Sequence, residues 1–331
     1  MATFLMQITP IRRSAGRSAA ASAAYRAGER LRDERSGKVY SHVSRRDVLH
    51  TAIFVPERFA GQQLEWASSR ERLWNTAERA EKRHDARVAR EFMVALPAEL
   101  DPKQRIALAR AFSREVTERY GVAVDLAVHA PRAGGDPRNF HAHILTTTRE
   151  VTPAGLGAKA GLDMTSVNRR GRGLPDHRAE YVNIRERWAQ LANSALRDAG
   201  VDARIDHRSL VAQGIDREPR PRIPQVPFWM ERLGVRSEVA DALRAQYRER
   251  VQRRLSRAQE RDVTRPKARA ADADVSGALT KPVPSADLAE VRRQAREAWL
   301  ALRAGGRTGV KAELEPDASE ALRQPENDLA R

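Results

Sequence analysis

The sequence predicts an α+β protein whose strands pair antiparallel, and three observations carry that reading. Strand-like runs (2–9, 48–55, 87–96, 122–128, 139–146) interleave with helical runs (18–31, 62–83, 102–120, 181–199). The run ending at His129 is followed by Ala130-Pro131-Arg132-Ala133-Gly134-Gly135-Asp136-Pro137-Arg138, a loop of turn residues that can return the chain beside itself. The returning segment, Asn139-Phe140-His141-Ala142-His143-Ile144-Leu145-Thr146, alternates faces. It sets His141 and His143 on one side and Phe140, Ala142 and Ile144 on the other.

The elements follow in order. Ala2 to Thr9 is a short strand with Phe4, Leu5, Met6 and Ile8. A basic loop, Arg12-Arg13-Ser14-Ala15-Gly16-Arg17, leads into Ser18 to Leu31, whose alanines make it a helix. Tyr25 is the one large polar-tipped side chain on it. Asp33 to Ser44 reads as a hairpin turning at Ser36-Gly37 and feeding the strand Val48 to Val55, which Pro56 stops. Gln62 to Arg83 reads as one long charged helix with Leu64, Leu73, Trp74 and Ala77 in its buried stripe. Arg87 to Leu96 is a strand, ended by Pro97. Asp101-Pro102 caps and opens a helix that runs to Tyr120 and stops at Gly121. The two histidine strands come next. From Glu150 to Glu180 periodicity is lost and glycine is frequent, which predicts a long loop of the functional kind. Tyr181 to Ala199 is a helix with Ile184, Trp188, Leu191 and Leu196, closed by Gly200, and 203–213 is a further ordered piece.

After Gly214 the composition shifts, and Pro219, Pro221, Pro224 and Pro227 mark a linker. The expected division is a domain over 1–215, a proline-rich linker over 216–235, and a basic helical and partly disordered region over 236–331. Within that region 239–261 reads as an arginine-rich helix, 262–286 as disordered, and 288–303 as a last amphipathic helix.

Composition narrows the function. The 331 residues carry 60 Lys+Arg against 44 Asp+Glu, a net charge of +16. Arginine dominates the positive side, and its planar fork matches phosphate oxygens, so nucleic acid is the first partner to consider. A GC-rich genome would explain arginine over lysine, but less easily the excess of positive charge. With no cysteine, disulfides and thiolate metal sites are excluded. No apolar run approaches the length of a membrane span, and residues 1–10 are too polar for a signal peptide, so a cytoplasmic location is expected with no membrane insertion.

Three constellations carry chemistry. His129, His141 and His143 would converge on one divalent metal, because neutral imidazoles suit transition metals and leave positions open for substrate oxygens. The bland reading is three unrelated histidines. Tyr25, behind an arginine-rich loop, is a candidate nucleophile; alone it reads first as a helix tyrosine packed on the sheet with its hydroxyl at the rim, and only the metal site turns the reading toward a nucleophile. Glu91 is an acid in an apolar-leaning strand that could accept the tyrosine proton, orient a ligand histidine, or pair with an arginine. Arg12, Arg13, Arg17, Arg26, Arg138, His207 and Arg208 are candidate DNA contacts. His42, His50 and His84 lack metal spacing and read as surface residues, and His177 sits in an arginine-rich context suited to phosphate.

These residues also reach a family. Ser18-Ala19-Ala20-Ala21-Ser22-Ala23-Ala24-Tyr25-Arg26-Ala27-Gly28-Glu29-Arg30-Leu31 resembles the amino-terminal motif of the MobA/MobL plasmid mobilisation relaxases, the MOBQ group of HUH endonucleases. Glu81 to Glu91 resembles their second motif, and Val128-His129-Ala130-Pro131 with Gly135 to His143 resembles their metal motif. Arg204 to Leu210, with Gln213-Gly214-Ile215, is similar to the segment that closes the relaxase domain. The four motifs stand in the family's order and cover about two-thirds of the chain.

The resemblance implies the HUH relaxase fold, a central antiparallel sheet with flanking helices and the histidine strands at its middle. It implies a reaction in which Tyr25 attacks one phosphodiester of origin-of-transfer DNA. That leaves a 5′-phosphotyrosine and a free 3′-hydroxyl, later resealed. His129, His141 and His143 match the metal ligands and Glu91 the acidic residue, with Mg2+ or Mn2+ expected ahead of other transition metals. Residues three and four beyond Tyr25 are Gly28 and Glu29, so the pattern resembles single-tyrosine relaxases. No G-x-x-x-x-G-K-[ST] loop is found, and no nucleotide cofactor is expected. Accessory mobilisation proteins and a type IV secretion coupling protein are the further partners implied, with export while attached to DNA. The alternatives are a rolling-circle replication initiator of the same chemistry and a non-catalytic basic DNA-binding module.

Overall fold

In the computed structural model, which describes residues 2–275 except 222, the strands and helices alternate along the chain. Strand β1 (Met6–Arg12) precedes helix α1 (Ala19–Ala27). A small hairpin of β2 (Arg30–Arg32) and β3 (Val39–Ser41) follows, then β4 (Val48–Phe54), α2 (Arg70–Ala80) and β5 (Arg87–Ala95). Next come α3 (Pro102–Tyr120), β6 (Val122–His129), β7 (His141–Thr152) and β8 (Gly155–Lys159). Helices α4 (Ser166–Gly171) and α5 (His177–Asp198) close this part.

The main sheet runs β1-β5-β7-β6-β4, with β8 added to β7. Each of these pairs is antiparallel. Register fixes which residues share a face. Across β5, β7 and β6, one row is Ala95–His141–His129, the next Met93–His143–Ala127, the next Glu91–Leu145–Asp125. Residues directly opposite in an antiparallel pair lie on one side, so the three histidines, Glu91 and Asp125 all face the same way.

The two faces are packed by different means. Phe92, Val94, Val124, Leu126, Ala142 and Ile144 form the apolar face, against Phe112 of α3 and Trp188 and Leu196 of α5. The opposite face receives α1 and α2 through Ala20, Ala23, Ala24, Leu73 and Trp74. Alanine at that spacing gives α1 a shallow stripe, so its backbone lies close to the sheet. Ser18 caps the helix, accepting from the Ala21 amide at 3.2 Å. Gly28 ends it with φ 68°, and a Cβ there would stand 3.2 Å from Val48 Cγ2, so both conformation and space call for glycine. Helix α2 is held by charge as well as by its apolar stripe. Arg70 Nε lies 2.9 and 2.8 Å from the two oxygens of buried Asp125, and Trp74 Nε1 donates to the same carboxylate at 2.8 Å.

Two expectations about these elements need correction. The predicted helix over 62–83 is only α2, preceded by a single 3-10 turn at Glu65–Ala67 and capped at Ser69. It stops at Ala80 because Arg13 takes the carbonyl oxygens of Glu78, Glu81 and Arg83 as hydrogen-bond acceptors. The predicted loop over 150–180 is ordered: the rest of β7, β8, a 3-10 turn at Gly161–Asp163, α4, and the first residues of α5. Its organiser is a buried charge rather than an apolar period. Arg169 donates to the carbonyls of Gly161 and Pro175 and lies 3.3 Å from Glu180 Oε2.

Between Pro219 and Arg220 the chain divides into two compact units. In the second, α6 (Gln225–Arg232) stands inside the stretch expected as linker, and Arg244 pairs with Glu231. Helix α7 (Glu238–Val275) continues through residues 262–275, expected as disordered. The expectations for 276–331, including the helix over 288–303, lie outside the described residues. Among the described residues no helix is long and apolar enough to cross a membrane.

Asp125 makes the sharpest test of this packing. Arg70→Ala leaves its carboxylate buried without a cation and is expected to destabilise the fold by roughly 3–5 kcal/mol, read from urea unfolding.

Candidate metal and nucleophile site

The histidine cluster is built by register. His129 ends β6 and His141 opens β7, directly opposite each other, and His143 is two residues along on the same face. The ring centroids are 5.3 Å (129–141), 4.7 Å (129–143) and 5.1 Å (141–143) apart. One ring nitrogen from each lies within 4.8 Å of the others.

The hydrogen bonds test whether this set fits a metal. His141 Nδ1 is 2.9 Å from the Asn139 carbonyl oxygen, and His143 Nδ1 is 2.6 Å from Glu91 Oε1. Those oxygens accept, so Nδ1 carries the proton in each ring and Nε2 keeps its lone pair. His129 is buried, with Nε2 2.7 Å from the Arg26 carbonyl oxygen and Nδ1 3.3 Å from Arg45. To ligate, it exchanges one of these contacts for the ion. Burial pushes the His129 ring down to about 3, helped by neighbouring His143, Arg45 and His141, against the Arg26 carbonyl. Burial also lowers His141. Neutral rings are the ligating form, so the donor set fits a divalent metal.

Glu91 is fully engaged. Oε1 accepts from His143 and from Arg26 Nε, and Oε2 accepts from Arg26 at 2.6 Å. Burial alone would raise its carboxyl, but the bonds from His143 and Arg26 hold it far below the usual carboxylate range. Of the three sequence readings, the geometry places Glu91 both against a cluster histidine and against an arginine.

Tyr25 lies on the outer side of α1, 39% exposed, beside the buried Arg26. Its surroundings come from two loops. Arg45 lies over the ring, 4.3 Å from its centroid, donates to the Tyr25 carbonyl at 2.7 Å, and is the same arginine that reaches His129. Asp47 fixes Arg45, and that guanidinium holds the Asp47 carboxyl down at about 2. His42 meets the ring edge-on at 5.2 Å. Burial, then the Arg45 charge, lowers His42. Arg132, on the loop between His129 and His141, donates to the hydroxyl at 2.7 Å. Together with Arg46, Asp47 and residues 130–133, these side chains line an open cavity of about 500 Å³.

Sequence reasoning missed Arg45, Asp47 and Arg132 and placed His42 at the surface. The available signal was position. Arg132 is three residues past His129, and the amide of Ala130 donates to the Asp47 carbonyl at 2.7 Å, which brings the two loops together. Two of the candidate DNA contacts are corrected. Arg26 is buried against Glu91, and Arg13 is buried against Glu78 and backbone carbonyls, so neither offers a free fork to phosphate. Arg12 and Arg17 are exposed. Arg138 pairs with Asp136 at 2.9 Å, and Arg208 with Asp206 at 2.7 Å. His207 lies 3.9 Å from the same Asp206.

An antiparallel sheet with a histidine triad at its middle, covered by a helix that presents a tyrosine to an arginine-lined cavity, defines the class of fold and site. Comparison with known proteins agrees. A model of the MobA/MobL family matches residues 17–232. The chain is 35% identical over 288 residues to a mobilization protein MobL of Acidithiobacillus ferridurans, covering 80% of this chain and 72% of that one. It is 32% identical over 269 residues to a probable mobilization protein MobA of Bifidobacterium longum, covering 72% of this chain and 46% of that one. A solved structure, from work on vancomycin resistance transfer in Staphylococcus aureus, is similar with a TM-score of 0.52 at 26% identity, over 63% of this chain and 100% of that chain. The chain belongs to the MobA/MobL family.

Two outcomes follow from the cluster. Glu91→Gln removes the charge that fixes the His143 ring and is expected to weaken Mn2+ binding about 10–100-fold in calorimetric titration. The second concerns acid stability of the metal-free protein in EDTA. The folded His129 ring stays neutral down to about pH 3, whereas an unperturbed ring takes its proton near 6.5. The unfolded chain therefore binds more protons across that window. The contribution is fully present above pH 6.5 and is lost as pH falls toward about 3. His129→Asn is expected to flatten that part of the stability–pH curve, measured by urea unfolding at a series of pH values.

Proposed function

We propose that this protein is a relaxase that nicks and reseals one strand of origin-of-transfer DNA through Tyr25. One observation carries the reading: Arg45 touches both the Tyr25 ring and His129, so the exposed phenol and the histidine cluster belong to a single centre. Membership of the mobilisation family supports it.

The chain's own residues do the following. The phenol oxygen of Tyr25 attacks the scissile phosphorus, and the bond from phosphorus to the 3′ oxygen breaks. The phenol proton passes to solvent, and the departing 3′ oxygen takes up a proton to become a hydroxyl. The product is a 5′-phosphotyrosyl ester, and the reverse reaction reseals the strand without ATP. A divalent ion at His129, His141 and His143, Mg2+ or Mn2+ first, supplies Lewis-acid polarisation of a phosphoryl oxygen when bound. Glu91 holds the His143 ring in its ligating tautomer and ties Arg26, hence α1, to the sheet. Arg12, Arg17 and the arginines of the cavity supply phosphate contacts to single-stranded or locally melted DNA. Residues 1–215 form the relaxase domain in this reading. The basic region beyond the linker serves DNA, accessory mobilisation proteins or a secretion coupling protein, in the cytoplasm before transfer.

The nick sequence can be selected by the protein itself. The full chain is incubated with a random single-stranded DNA pool and Mn2+, and SDS-stable protein–DNA adducts are recovered and sequenced. Wild type is expected to yield adducts at the 5′ end of one recurring sequence. EDTA is expected to abolish them while leaving salt-sensitive binding. Tyr25→Phe is expected to bind the recovered sequence and form no adduct. Adducts retained by Tyr25→Phe overturn the assignment, and binding with no adduct in wild type favours a non-catalytic basic DNA-binding module.

A further inference from the structure

We propose that Arg132 is a further catalytic residue, one whose guanidinium stabilises the charge on the Tyr25 phenol oxygen during strand transfer. The proposal rests on the reading of Tyr25 as the nucleophile.

The chemistry of the contact comes first. Arg132 lies 2.7 Å from the Tyr25 hydroxyl through a terminal guanidinium nitrogen. A guanidinium only donates, so the phenol oxygen is the acceptor and its own proton is directed elsewhere. Such a bond gains strength as the oxygen loses that proton, because a charge-assisted hydrogen bond to an anion is stronger than one to a neutral phenol.

Arg132 differs from Arg45 in charge balance and, unlike Arg46, also bonds the Tyr25 hydroxyl. Arg45, over the ring, is committed to the Asp47 carboxylate. Among the described residues no carboxylate pairs with Arg132, so its positive charge is uncompensated where it meets the hydroxyl.

Position is supplied from two sides. The ring is confined by Arg45 over its face and His42 at its edge, which leaves the hydroxyl a narrow range of positions. Arg132 sits on the loop joining β6 to β7. The Ala130 amide donates to the Asp47 carbonyl at 2.7 Å, and the Gly135 amide closes a turn on the Arg132 carbonyl at 2.9 Å. The loop that spaces His129 from His141 therefore also fixes the donor on the nucleophile. One short segment sets the distance between the candidate metal ligands and the phenol oxygen.

The step balances without a further reactant. The phenol oxygen forms its bond to phosphorus as the 3′ oxygen leaves with the electron pair of the breaking bond. One proton goes from the phenol to solvent, one returns from solvent to the 3′ oxygen, and nothing is oxidised or reduced. Before the attack Arg132 bonds the phenol oxygen. Once that oxygen is esterified, the same fork meets the non-bridging oxygens of the phosphotyrosine, a geometry suited to arginine.

The test uses the full chain and the single-stranded oligonucleotide recovered from wild-type adducts. Adduct formation is followed in single turnover at saturating protein with Mn2+, and DNA affinity is measured separately. Arg132→Ala is expected to slow adduct formation on the order of 10²-fold at saturation. Its affinity should fall no further than loss of about one phosphate contact allows. Arg132→Lys is expected to restore part of the rate, and added guanidinium ion to rescue Arg132→Ala. Rescue is the readout that a purely structural role would not give. A saturating rate unchanged by Arg132→Ala, or a loss that guanidinium and Arg132→Lys leave untouched while wild type forms adducts, overturns this assignment alone. Absence of adducts in wild type, or their persistence in Tyr25→Phe, overturns the nucleophile reading and this proposal with it.

Discussion

The contact between Arg26, Glu91 and His143 ties together elements that are far apart in sequence. Arg26 comes from α1, Glu91 from β5 and His143 from β7, and the carboxylate at the centre uses both oxygens. Removing two charges from water costs several kcal/mol per ion, and the pair offsets that only through good geometry and further hydrogen bonds. Here the geometry is a guanidinium fork plus an imidazole N–H. The consequence is positional more than stabilising. Arg26 draws α1 onto the histidine face of the sheet, and the next residue back, Tyr25, is thereby carried to the rim of the cavity.

The same face is organised throughout by buried charge. Asp125 receives Arg70 and Trp74 from α2 as Glu91 receives Arg26 from α1. Each helix is docked by one arginine onto one acid of the sheet, with small or aromatic side chains filling the space between. The opposite face is packed mainly by apolar side chains such as Phe112 and Trp188, with one buried ion pair of its own, Arg90 to Asp163. Both sides of the sheet carry an apolar cluster, and the side under α1 and α2 also holds the histidine triad.

Two loops complete the site because their backbones meet. The hydrogen bond from Ala130 to Asp47 sets the segment after β3 beside the segment after β6. Arg45 thereby reaches both the Tyr25 ring and His129, and Arg132 reaches the hydroxyl. The turn residues of 130–138 announce a loop, but nothing in the sequence of either segment shows that Arg45 and Arg132 meet at Tyr25. Each is read correctly only when the strands that anchor it are known to be neighbours.

The sequence by itself determined a good deal. Strict alternation in 139–146 put His141 and His143 on one face, because a strand has a period of two. The alanine run declared α1, and Asp101-Pro102 and Gly121 marked the ends of α3 through local capping chemistry. Local rules were enough there because each depends on a few adjacent residues. Tertiary structure decided the rest. Arg13 ended α2 from across the fold, and Arg169 organised 161–180 by bonding carbonyls, so an apolar period was neither needed nor present. Arg26 and Arg13, which resemble phosphate contacts in a basic sequence, turned inward to carboxylates. Composition counts charges but does not say which are already paired. Whether an arginine faces solvent, an acid or a tyrosine depends on strand register and helix docking, and those are set by contacts between residues far apart in sequence, as in Arg26–Glu91 (65) and Arg132–Tyr25 (107).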